Sequence, residues 1–295
     1  MPVASSHAGL SSTTALGSCT LLVAIFVGSF YLFPGATSKS RNDPVVIVQR
    51  FKAVGATCGV GFVLLVGLLA LARNTHYFPT EAPTQPFTVE MRMHILWGWI
   101  WTALEHAGFI SPAPITSVAV SLILCVTLFL GPLIMEGAEI YALVQQTISQ
   151  PDDHLMAIRA WIVGPIVEEV VFRGYMVPLM IAGGFSVHQI IWYLPLFFGV
   201  AHLHHAWETI RDHGYTRSAV LKAITLSGFQ LIYTSIFGWL ATYLFIRTGS
   251  IYCPLSAHVF CNIMGFPDLG RLVDGTLFQQ GRNVEAMCEV VMMIE

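Results

Sequence analysis

Twenty consecutive residues, Ala53 to Ala72 ("AVGATCGVGFVLLVGLLALA"), carry no charged side chain. A helix rises about 1.5 Å per residue, so about twenty apolar residues match the roughly 30 Å hydrocarbon core of a bilayer. With no water there to satisfy backbone polar groups, such a run reads as a spanning helix. Comparable apolar runs cover Ala15 to Phe33, Ile115 to Met135, Ile158 to Ile181, Ile190 to Ala206, Ala219 to Ile246 and Ile251 to Phe266. A shorter candidate, His94 to Phe109, holds three Trp with Glu105 and His106, and reads as either a short span or an interfacial helix. The expectation is an all-α, polytopic integral membrane protein of about eight transmembrane helices. It forms one membrane-embedded domain over residues 1–295, without an internal repeat. Composition agrees: 55% of residues are hydrophobic and 11% charged, against about 25% charged in soluble chains.

Charge asymmetry sets the orientation. The residues before the first run contain no Lys or Arg, so that run is a retained span and not a signal peptide. The loop bearing Lys39, Arg41, Arg50 and Lys52 is assigned to the cytoplasmic side, and the N-terminus to the other. The stretch Glu136 to Met156 is acidic and lacks Lys and Arg, fitting a lumenal loop or a partly exposed helix. The tail after Pro267 is mixed and is placed at the surface. The six cysteines are scattered without a CxxC pair, which indicates apolar fillers, not a disulfide framework or thiolate metal site. A net charge of −3 without a basic cluster gives no support to nucleic-acid binding.

Against this background "GPIVEEVVFRGYMVP" (Gly164 to Pro178) is anomalous, with Glu168, Glu169 and Arg173 inside an apolar run. A charged side chain at a helix centre costs roughly 2.5–3.5 kcal/mol on insertion scales. Glu169 and Arg173 are i and i+4 in the favourable Glu-first order and can neutralise each other. Glu168 points about 100° away and has no local cation at i+3 or i+4. Ionisable groups deep in a span are functional by default; the bland alternative is a structural triad snorkelling at a membrane edge. Two later runs supply partners. "PLFFGVAHLHHAW" places His202 four residues after Phe198, and "SAHVFCNIMGFP" places His258 and Asn262 four apart on one face. Polar faces on three apolar helices can satisfy one another around a wet pocket, and apart each is an unpaired burden.

A partly desolvated Glu can act as general base on water, a His can hold that water, and a second His with an Asn carboxamide can donate to an oxyanion. One Glu with two His is also a ligand set for zinc. HExxH is absent, however, and the spacings span three helices, so no metal and no cofactor are expected.

Taken together, the blocks Glu168-Glu169-Val-Val-Phe-Arg173, Phe198-Gly-Val-Ala-His202 and His258-Val-Phe-Cys-Asn262 resemble the EExxxR, FxxxH and HxxxN motifs of the type II CAAX prenyl endopeptidases. The strings "LFLGPL", "LFIRTG" and "FCNIMGFP" are similar to the eukaryotic branch. The likeness covers a catalytic core of about Val118 to Pro267; the first hundred residues match only as membrane spans. It implies an endoplasmic-reticulum membrane protease that removes the aaX tripeptide beyond the prenylated cysteine. Its substrates would be farnesylated or geranylgeranylated CAAX proteins such as Ras-type small GTPases, met in the lipid bilayer at a site open to the cytosolic side. By the same resemblance Glu168 and His202 activate water, His258 and Asn262 form the oxyanion hole, and Glu169 and Arg173 support them. Two competing readings stay open on the residues: a non-catalytic membrane chaperone or scaffold of the same fold, and a proton-coupled transporter using Glu168 and the histidines as a relay.

Overall fold

The computed structural model describes residues 9–33, 39, 42–72, 88–149, 154–212 and 214–265. The Pro/Thr-rich connection 77–87, the tail after 265 and the His205 side chain lie outside the described residues. Among those residues the fold is all-α. Helices α1 (Ser12–Ser29), α2 (Pro44–Leu71), α3 (Val89–His106), α4 (Pro114–Leu128) and α5 (Leu130–Ser149) come first. A broken helix follows, built from α6 (His154–Ile158), a π stretch π1 (Arg159–Val163), α7 (Gly164–Glu168), a second π stretch π2 (Glu169–Tyr175) and α8 (Met176–Ala182). The chain continues through α9 (Val187–Ala201), α10 (His204–Asp212), α11 (Arg217–Thr248) and α12 (Tyr252–Met264). Three of these, α1, α2 and α11, are long and apolar enough to cross a membrane, and α4 is a shorter apolar helix.

Local chemistry marks the ends. Asp43 caps α2, accepting from the Val45 N–H at 2.8 Å, a bond that holds its carboxyl below its ordinary value. Ser186 and Gln189 form a reciprocal capping box on α9. Gly249 closes α11 in the left-handed conformation (φ 62°), which glycine adopts without strain.

Two expected runs are divided by proline. The run Ile115 to Met135 breaks at Phe129, because Pro132 has no N–H to offer the Leu128 carbonyl. Its end, together with most of the stretch expected as a loop or partly exposed helix, becomes α5. The run Ile158 to Ile181 is the broken helix. Each of its π stretches is followed by a proline, Pro165 and Pro178, whose missing N–H strips a donor from Trp161 in π1 and from Gly174 in π2. The wide turns absorb those losses, and π turns of this kind often sit at functional sites.

The broken helix runs through the middle of the bundle: π2 and α8 are almost wholly buried, packed against α1, α2 and α9. Helices α9 and α11 pack closely, and α12 sits between α4 and α11. Ile115, Val120, Ile123, Ile224, Ile232 and Ile236 face outward, while Thr102, Ser121, Gln230, Thr234 and Thr242 are buried. An apolar exterior over a partly polar interior suits lipid, where every internal polar group needs a protein partner.

Candidate active site

All six residues singled out from the sequence are buried, none more than 6% exposed, and the fold draws them from three helices. Glu168 ends α7 and Glu169 opens π2, with Arg173 one wide turn on. The Arg173 Nη1 donates to Glu169 Oε1 at 2.9 Å, as the spacing predicted. Its Nη2 reaches the Gly238 carbonyl of α11 at 3.4 Å, and its guanidinium carbon lies 4.7 Å from the centroid of the Phe198 ring. The cation thus has a carboxylate, a carbonyl and a π face around it.

Helix α12 brings a second donor to the same carboxylate oxygen: His258 Nδ1 lies 2.8 Å from Glu169 Oε1. On the other side of the ring, His258 Nε2 is 3.8 Å from Glu168 Oε2. The imidazole is therefore held between the two adjacent glutamates. Sequence spacing assigned Glu169 to Arg173 alone; in the fold it serves both a guanidinium and an imidazole.

His202 sits at the C-terminal cap of α9, where the chain tightens before α10. Its Nδ1 lies 2.7 Å from the Phe198 carbonyl, which can only accept, so Nδ1 carries the proton and the neutral ring has its lone pair on Nε2. The Phe198 ring lies edge-on to His202 at 4.8 Å and to His258 at 6.4 Å, so one aromatic spaces the two histidines. Asn262 donates through Nδ2 to the Ala160 carbonyl of π1 at 2.8 Å. That engages one of its two amide hydrogens.

Two contributors from α11 were not singled out beforehand. Phe237 packs against His258 with the rings tilted by 54° and their centroids 4.7 Å apart. At Gly238 a Cβ would fall 2.8 Å from Pro195 Cβ and 3.4 Å from Arg173 Nη2. A glycine inside a long helical pattern was the available signal; Ala160 offered none.

Beside this site lies a second buried polar cluster. Glu208 of α10 accepts from Tyr31 at 3.1 Å and from Arg50 at 3.2 Å, tying α10 to the end of α1 and the start of α2. His204 bonds the Ala201 carbonyl at 2.7 Å and packs on Phe30. Cys19, Cys58, Cys125, Cys253 and Cys261 are free thiols. Among the described residues no group of three or more His, Cys, Asp and Glu side chains is disposed to hold a metal ion.

Comparison with known proteins gives a consistent answer. Residues 150–264 match the family described as type II CAAX prenyl endopeptidase Rce1-like. The "Probable CAAX prenyl protease 2" of Schizosaccharomyces pombe is 32% identical over 251 residues, covering 83% of this chain and 79% of that protein. The "CAAX prenyl protease 2" of Homo sapiens is 29% identical over 269 residues, covering 88% and 73%. That of Arabidopsis thaliana is 46% identical over a shorter stretch of 111 residues, 38% of this chain and 35% of that protein. No solved structure matches the chain.

Proposed function

The chain belongs to the type II CAAX prenyl endopeptidase family and is a membrane protease acting on CAAX proteins, and we propose that Glu168 and His202 drive its reaction by activating water. The observation that carries this division of labour is the sharing of Glu169. One of its oxygens receives both Arg173 and His258 at 2.9 and 2.8 Å, so Glu169 is a structural anion. Glu168 instead faces His258 across 3.8 Å, beyond a direct hydrogen bond.

In this mechanism Glu168 takes a proton from water while the Nε2 lone pair of His202 holds the second hydrogen. The hydroxide adds to the carbonyl carbon of the prenylated cysteine. His258 donates from Nε2 to the oxyanion, and the remaining Asn262 amide hydrogen is a second donor. The buried Glu169–Arg173 pair, at 2.9 Å, offsets two of the three ionisable groups that fall within six positions of the apolar run. Collapse of the intermediate breaks the C–N bond, and the proton on Glu168 passes to the leaving amine of the aaX tripeptide.

The substrate is a prenylated CAAX protein, of which farnesylated and geranylgeranylated Ras-type GTPases are the proposed examples. The proposed setting is the endoplasmic-reticulum membrane, with the site open to the cytosol. Catalysis occupies about 118–267 of a single membrane-embedded domain. Burying the isoprenoid at about 0.8 kcal/mol per CH₂-sized group would dominate binding. Purified protein in detergent should release an intact tripeptide from a farnesylated CAAX peptide, read by mass, and little from the unmodified peptide. Stepwise loss of single C-terminal residues would mark a carboxypeptidase and refute this reading.

A further inference from the structure

Helix α11 carries a buried polar group that this reaction leaves unused. Gln230 is 5% exposed, and its side-chain amide nitrogen has no hydrogen-bond partner. Its backbone is well provided for, since Thr234 returns its hydroxyl to the Gln230 carbonyl at 2.8 Å. The amide is therefore a buried donor without an acceptor, the arrangement that calls for an explanation in a native core.

Two observations place it beside the reacting groups. Phe237 is seven residues further along, two helical turns, and so lies on the same face as Gln230. That face meets the site, for the Phe237 ring is 4.7 Å from the His258 ring and 5.8 Å from the Arg173 guanidinium carbon. Helices α9 and α11 run antiparallel in a register fixed by two close approaches. Gly238 abuts Pro195, and Gly199 abuts Leu231 and Ser235. Moving three residues from Gly199 to His202, while stepping back along α11, brings His202 level with the turn that holds Gln230. The amide thus belongs to the face that looks on His258, at the height of His202. It is buried to much the same degree as Glu168 and His258.

We propose that Gln230 is a substrate-binding residue whose carboxamide donates to a main-chain carbonyl of the aaX segment, an inference that rests on the protease reading above. An isoprenoid chain has no acceptor to offer this amide, whereas every peptide bond does. A bond to the main chain also suits an enzyme whose substrates differ in side chains at those positions.

The test is Gln230→Met, which keeps length and volume and removes the amide. Binding of a farnesylated CAAX peptide, measured without turnover, should weaken about 3- to 10-fold, with KM rising in step and kcat nearly unchanged. The thermal midpoint should hold or rise, because an unpaired buried donor has been replaced by an apolar group. The same weakening should appear with a C-terminally amidated peptide; its disappearance there would put the acceptor at the terminal carboxylate and overturn the main-chain assignment. Unchanged Kd and KM, or a collapse of the fold, would show that the amide has no role in binding or a purely structural one. Failure of the wild-type protein to release tripeptide, with peptide binding still sensitive to Gln230, would instead count against the protease reading.

Discussion

Glu168 and Glu169 are neighbours in sequence for which we propose opposite tasks, and substitution should separate them. Glu169→Gln strands Arg173 and His258 without their shared anion. Removing one partner of a buried pair costs roughly 3–5 kcal/mol in soluble cores, so folded yield and thermal midpoint should fall together with activity. Glu168→Gln keeps shape and removes the proton acceptor; it should fold and bind prenylated peptide, yet turn over at least about 10²-fold more slowly. A stable, inactive Glu169→Gln beside an active Glu168→Gln would reverse the two roles. At this scale the i, i+4 bond of Glu169 to Arg173 was legible, because helical geometry alone dictates it. The bond from His258 to the same oxygen was not. It joins positions 89 residues apart, and no local rule reaches that far.

Among the elements, the approach of α9 to α11 depends on Gly199 and on Gly238, where the Pro195 ring and the Arg173 guanidinium crowd the helix backbone from outside. Gly238→Ala should push the two helices apart. Overpacking of this kind typically costs about 1–3 kcal/mol, so a lowered thermal midpoint is expected. Peptidase activity should fall with it as Phe237 withdraws from His258. A fully active Gly238→Ala of wild-type stability would show that the contact yields freely. Hydropathy found the material of these helices but not their joints. The break at Phe129 and the wide turns of π1 and π2 sit inside unbroken apolar runs, so averaging passes over them. The prolines at 132, 165 and 178 were the only written sign. They show that a donor is missing and leave open whether the helix ends or widens in reply.

At the scale of the whole molecule, membrane residence was plain from the length of the apolar runs, and which side faces the cytosol rests on charge asymmetry alone. In sealed microsomes a cysteine introduced in the 39–52 region should label from outside, and one at the N-terminus only after permeabilisation. The converse pattern would invert the orientation. The same region contributes Arg50 to Glu208, so the α1–α2 end is fastened to the helix that begins two residues after His202. The widened turns have a bearing on how such a gene can vary. A π stretch carries one residue more than an α-helix would use to cover the same rise. Deleting a single codon from 170 to 174 would leave the number of residues an α-helix needs for that rise, so the flanking helices would keep their register while the wide turn that carries Glu169 and Arg173 closes. A change of length by one residue here would therefore be felt first at the buried Glu169–Arg173 pair, and only then by the helices on either side.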